Sequence, residues 1–180
     1  MIKKKDLSIE ETFALAIQNQ QSNDFIVAKK LYNEIIKRDP NYVNAHINLG
    51  ILLIQNKKYH NAIISFEKAI ELKPNFADTY YNIAVVNNLL GQNLDAIQNY
   101  EKAIQLNPKF LDALNNLGVV FLENNEYQKA VDYFQKVILI NPNISNVHNN
   151  LGSAFTKLDK HEKAIDCYEK AIEINPNLTD

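Results

Sequence analysis

One cysteine, Cys167, is all the chain has, so no disulfide can close within it. The 4 glycines never gather into a run, which leaves no loop of the kind that cradles phosphates. No Cys-x2-Cys pair occurs and no two of the 4 histidines stand one helical turn apart, so a built-in zinc site is not expected. Positive charge is scarce as well: 19 Lys and Arg face 21 Asp and Glu, a net charge of −2. A sequence-independent nucleic-acid binder needs a strong positive field, and that class is disfavoured. The cluster Lys3, Lys4 and Lys5 lies beside Asp6, Glu10 and Glu11 and reads as a solvated terminus. No apolar stretch approaches the ~18 residues that span a bilayer. Met1 to Glu10 lacks an apolar core of signal-peptide length. The expectation is a cytoplasmic chain, without membrane or nucleic-acid contact, whose 180 residues, 46% hydrophobic, suffice to bury a core.

Against this plain background the prolines are informative. There are 5, Pro40, Pro74, Pro108, Pro142 and Pro176, each 34 residues from the next. A fixed period of this length marks one supersecondary unit repeated along the chain. Other columns keep the register. Alanine stands at Ala28, Ala62, Ala96, Ala130 and Ala164, and an aromatic at Tyr32, Phe66, Tyr100, Phe134 and Tyr168. Upstream run Leu15, Leu49, Ile83, Leu117 and Leu151, each followed by a tiny residue: Ala16, Gly50, Ala84, Gly118 or Gly152.

The second unit reads His46-x2-Leu49-Gly50-x2-Leu53, then Ala62-x3-Phe66, then Pro74, and it resembles the tetratricopeptide repeat. The resemblance covers residues 9 to 178. Its departure is the family's tryptophan column, held here by Thr12, His46, Tyr80, Leu114 and His148. It implies an all-α chain, a right-handed α-solenoid of five helix-turn-helix repeats over 9–42, 43–76, 77–110, 111–144 and 145–178, after an N-terminal tail over 1–8. The spacing agrees. Val43 to Asn56 and Tyr59 to Lys73 carry apolar residues at three-four intervals, as two helices would. The turn between such helices falls at Asn23, Lys57, Gly91, Asn125 and Asp159, mostly residue types that tolerate a left-handed backbone. Proline then biases its predecessor out of the helical region. The glycine and alanine columns are expected to face each other, letting the two helix backbones approach closely.

Catalysis needs a nucleophile, base or metal placed once, whereas almost every polar residue here recurs as a column. Cys167 shares its unit with His148 and His161, yet it occupies a variable second-helix position also held by Leu31, Ser65, Asn99 and Tyr133. His46 and His148 stand where the family places a bulky anchor, and packing is the expected role. No catalytic residue, cofactor or metal is assigned.

One column invites a binding role. Asn48, Asn82, Asn116 and Asn150 precede the Leu/Ile column. Asparagine inside a helix costs roughly 0.5 kcal/mol relative to alanine. A side-chain amide both donates and accepts, so a ladder of amides could hold the backbone of an extended peptide without reading its sequence. The competing reading is compositional, since asparagine occurs 26 times and such richness alone can fill a column. The family resemblance implies that first helices line a concave face into which this column points. A similar asparagine column holds substrate peptides in the repeat arms of O-linked N-acetylglucosamine transferases. Flanking positions on the same helices complete the candidate peptide site: Asn44, Asp78, Tyr81, Asp112, Asn115, Asn146 and Asn149. Such a surface is neutral to acidic, a poor match for an acidic tail.

The expected function is a non-enzymatic interaction scaffold for a protein or peptide partner. Two alternatives stand: the substrate-binding arm of a larger enzyme such as a glycosyltransferase, or an assembly module acting through its repeat ends. Ile165, Tyr168, Ile172 and Ile174 on the last helix have no following repeat to cover them before Asp180. They would allow a homodimer through the uncapped C-terminal repeat.

Overall fold

The computed structural model describes residues 7–177. Lys3, Lys4, Lys5 and Asp6, most of the 1–8 segment, and Asp180 lie outside the described residues. Every element within them is a helix: α1 (Ile9–Gln21), α2 (Phe25–Arg38), α3 (Val43–Gln55), α4 (Tyr59–Leu72), α5 (Ala77–Leu89), α6 (Asn93–Leu106), α7 (Leu111–Glu123), α8 (Tyr127–Ile140), α9 (Ser145–Lys157) and α10 (His161–Ile174). The chain is therefore an all-α array of helix-turn-helix repeats. It divides into two compact units, Met1–Val86 and Asn87–Asp180, with the division inside α5. Within the first, α1 packs on α2, α2 on α3 and α3 on α4. Within the second, α6 packs on α7, α7 on α8, α8 on α9 and α9 on α10. Apolar faces are thus buried between sequence neighbours, as in repeat arrays generally.

Each helix pair closes through the same turn. Asn23, Lys57, Asn125 and Asp159 have φ between 56° and 63°, and Gly91 has φ 71°. The residue after each reaches back five positions: Asp24 N donates to Asn19 O at 2.8 Å, Lys58 N to Leu53 O at 2.8 Å, Gln92 N to Asn87 O at 2.9 Å, Glu126 N to Phe121 O at 2.8 Å and Lys160 N to Phe155 O at 2.9 Å. This is the Schellman arrangement, which satisfies the carbonyls orphaned at a helix end. Even Lys57 adopts it, because the position and not the residue type sets the backbone.

Second helices stop where proline requires. Asp39, Asn107, Asn141 and Asn175 are extended, with φ from −135° to −141°. Each also accepts, through Oδ1, from the amide two residues on: Asn41 at 3.0 Å, Lys109 at 3.2 Å, Asn143 at 3.1 Å and Asn177 at 3.2 Å. These Asx turns hold the chain through the corner into the next repeat or chain segment.

The seam inside each repeat corrects one expectation. What the glycines meet first is the aromatic column: a Cβ at Gly50 would lie 2.5 Å from Phe66 Cε1, at Gly118 2.6 Å from Phe134 Cε1, and at Gly152 2.7 Å from Tyr168 Cε1. Tyr32, Phe66, Tyr100 and Phe134 are buried to 1% exposure or less, so the rings have little room to yield. The first repeat, with Ala16 at the glycine position, buries Tyr32.

One buried polar atom breaks the pattern. Thr79 Oγ1, fully buried, has no hydrogen-bond partner among the described residues. The same position holds Ala45, Ala113 and Val147 elsewhere. A buried hydroxyl left unpaired costs about 1–3 kcal/mol. Thr79→Val, nearly equal in shape, is expected to raise the unfolding free energy by about 1 kcal/mol in urea denaturation. A loss of stability would show that the hydroxyl has a partner after all.

Candidate peptide-binding faces

All the candidate residues lie on first helices and keep solvent access. In the first unit Asn44 and Asp78 are exposed, and Asn48, Tyr81 and Asn82 are half-buried. In the second, Asp112 and Asn146 are exposed, and Asn115, Asn116, Asn149 and Asn150 are half-buried. The neighbouring Leu/Ile column turns inward: Leu49, Ile83, Leu117 and Leu151 are no more than 8% exposed. Helical spacing therefore puts the asparagines at the boundary between core and solvent, where an amide can be held and still be reached.

The second unit links three of them. Asn150 Nδ2 donates to Asn115 Oδ1 at 3.4 Å, and Asn115 Nδ2 donates to Asn116 Oδ1 at 3.3 Å. Asn115 belongs to a flanking position, so the amides form a chain across two columns and two first helices. Both bonds are longer than the ~2.9–3.0 Å usual for N–H···O, so a peptide amide could displace them at small cost. Asn115 engages one donor and one acceptor here, and an asparagine amide has two of each.

In the first unit Asn48 lines a cleft of about 300 Å³ together with Ile17, Gln20, Gln21, Tyr32 and Gln55. The Tyr32 hydroxyl donates to Gln20 Oε1 at 2.8 Å, and Gln20 Nε2 donates to Gln55 Oε1 at 3.3 Å. No repeat column points to these glutamines. Gln21 and Gln55 do share a repeat position, but Leu89, Glu123 and Lys157 hold it elsewhere, so no column stands out.

Burial pushes the Tyr32 phenol up from the ordinary 10.0 to about 12. Its neutral form then contributes stability that is fully present below pH 10 and is lost as pH rises through about 12, because the unfolded chain ionises first. A pH titration followed by ultraviolet absorbance is expected to show a late tyrosine step that disappears in Tyr32→Phe. An identical curve for the variant would contradict this.

His46 and His148 have structural roles. The ring Nε2 of His46 bonds the Pro40 carbonyl at 2.9 Å and that of His148 the Pro142 carbonyl at 2.8 Å. Both rings are buried, so each ties the start of a first helix to the preceding proline corner. Burial first, and the Asp166 charge second, push the Cys167 thiol up, the opposite of what a nucleophile needs. Among the described residues no group of three or more His, Cys, Asp or Glu could hold a metal ion. No helix among them is long and apolar enough to cross a membrane.

A tetratricopeptide repeat profile matches residues 43–76, 111–144 and 145–178, and two further profiles of the same repeat match 88–125 and 65–98. No curated protein matches the chain. Several solved structures share the fold. A MamA crystal structure superposes with a TM-score of 0.84 at 26% identity, over 93% of this chain and 92% of that one. MamA of Desulfovibrio magneticus RS-1 gives 0.86 at 20% identity, over 96% and 97%. YrrB, described as a TPR protein with an unusual peptide-binding site, gives 0.79 at 22% identity, over 98% and 91%.

Proposed function

The chain belongs to the tetratricopeptide repeat family, and from that premise we propose that it is a non-catalytic interaction scaffold holding an extended peptide against the amide-bearing faces of its first helices. The observation that carries this reading is the amide chain Asn150, Asn115, Asn116, held together by bonds long enough to be exchanged. In the first unit the cleft around Asn48 offers a comparable set of amides beside Tyr32 and Ile17. Donor and acceptor side by side suit a peptide backbone, whose N–H and C=O alternate along an extended strand. YrrB's description as a peptide-binding protein of this fold supports the same reading. So does the likeness of the asparagine column to that of O-linked N-acetylglucosamine transferase repeat arms. A peptide selected from a displayed library on the wild-type chain is the test. The double variant Asn115→Ala with Asn150→Ala is expected to lose much of the capture, and equal capture would remove the reading.

A second role, pairing of two copies through α10, is supported by a specific pattern of exposure. Ile172 is 54% exposed and Ile165 56%. Their counterparts Ile138 and Val131 in α8, which packs on α9, are half-buried and buried respectively. Light scattering at rising concentration is expected to show self-association that Ile172→Glu abolishes. Monomeric behaviour throughout would eliminate pairing.

A further inference from the structure

The junction between α2 and α3 is open where equivalent junctions of the second unit are bridged. Between α6 and α7, Asn93 Nδ2 donates across the junction to Asn124 Oδ1 at 2.6 Å. At the α8–α9 junction, Lys160 Nζ, from the turn that follows α9, donates to Gln128 Oε1 at 3.4 Å. In the first unit Phe25 stands in the register position of Asn93, and Ile26 in that of Gln128. Neither apolar side chain can bond Asn56 or Lys58, the residues opposite. Leu53 also stands where Phe121 and Phe155 stand in the second unit, which takes volume from the floor.

The result is a cavity of about 400 Å³ floored by Phe25, Ile26, Leu52 and Leu53. Ile26 is 74% exposed at its lip. Lys29, Lys30 and Lys58 ring it, all exposed, and none forms an ion pair among the described residues. The carboxylate adjoining Phe25, that of Asp24, is engaged in capping α2, accepting from Val27 N at 3.1 Å. Asn56 is turned to its own helix, donating to Leu52 O at 2.9 Å. An apolar floor inside a ring of lysines without ion-pair partners among the described residues therefore faces solvent.

We propose that this cavity is a second docking site, specific for a peptide segment that presents a bulky apolar side chain flanked by carboxylates. The floor buries the side chain, and the lysines meet the flanking charges. A concavity of this size suits one inserted side chain, whereas a membrane surface is met by a convex apolar patch. The site shares no lining residue with the amide cleft around Asn48. The two surfaces also select oppositely: exposed Asp78 and Asp112 on the first-helix faces disfavour the acidic segment that the lysines attract. The chain would hold two segments of different chemistry at once.

The probe is a fluorescein-labelled peptide, Glu-Glu-Leu-Phe-Glu-Glu, with controls carrying Lys for Glu or Ala for Leu and Phe, followed by fluorescence anisotropy with the full chain. Binding of the first peptide alone is expected, weakened by added salt. Lys29→Glu with Lys58→Glu should reduce its affinity at least tenfold while circular dichroism and melting stay as in wild type. Leu53→Phe, which refills the floor with the residue found at the bridged junctions, should reduce it likewise. Asn115→Ala with Asn150→Ala should leave it unchanged, which separates this site from the amide faces. Failure of the acidic peptide to bind, equal affinity for the charge-reversal variant, or lysine-dependent sedimentation with anionic vesicles in place of peptide binding would overturn the proposal.

Discussion

Phe134→Ala is expected to cost about 4 kcal/mol of folding stability, within the usual range for losing a buried phenylalanine. The ring is fully buried and lies against Gly118, where no side chain exists to collapse into the vacated space. Gly118→Leu attacks the same seam from the other side, forcing a branched side chain into a ring already 2.6 Å from where a Cβ would sit. That overpacking should cost about 3 kcal/mol. Combined, the two changes are expected to cost less than the sum of the single effects, because leucine can occupy the space the ring leaves. Urea unfolding of the two single variants and the double variant measures this directly. Strict additivity would mean that the two residues do not share one volume, and the description of the seam would be wrong.

The second large effect concerns binding. Asn115→Ala with Asn150→Ala is expected to weaken a captured peptide by about 30-fold, since two neutral hydrogen bonds at ~1 kcal/mol each amount to about 2 kcal/mol. Stability should move the other way. Alanine is the better helix former by roughly 0.5 kcal/mol per position, and the amide bonds removed are long ones. A variant that binds less and melts no earlier is thus the signature of a binding role. A variant that binds equally well, or that melts much earlier, would assign these amides to composition or to the fold.

The repeat itself could be read from the chain because its constraints act on the backbone. Proline forbids a helical amide wherever it stands, and the left-handed residue of each turn recurs at the same interval, so the ends of the first and the second helices are visible without side-chain contacts. Asn23 and Gly91 announce that position by residue type, while Lys57 does so only by register. Packing partners were less visible. The glycine column signals close approach but not to what, and only the coordinates place the rings of Phe66, Phe134 and Tyr168 against it. The Asx turns of Asn107, Asn141 and Asn175 likewise account for asparagines whose job a composition cannot tell from abundance. Of the candidate site, the faces were legible as columns. The link through Asn115 was not, because it runs diagonally between columns and depends on side-chain rotamers.

The most direct measurement is nuclear magnetic resonance of the side-chain amides while a captured peptide is added. Shifts should concentrate on Asn115, Asn116 and Asn150, and on Asn48 with Gln20 and Gln55, and leave Asn99 and Asn33 on the second helices unmoved. Shifts confined to second-helix residues, with those first-helix amides silent, would contradict a peptide seated on the amide faces.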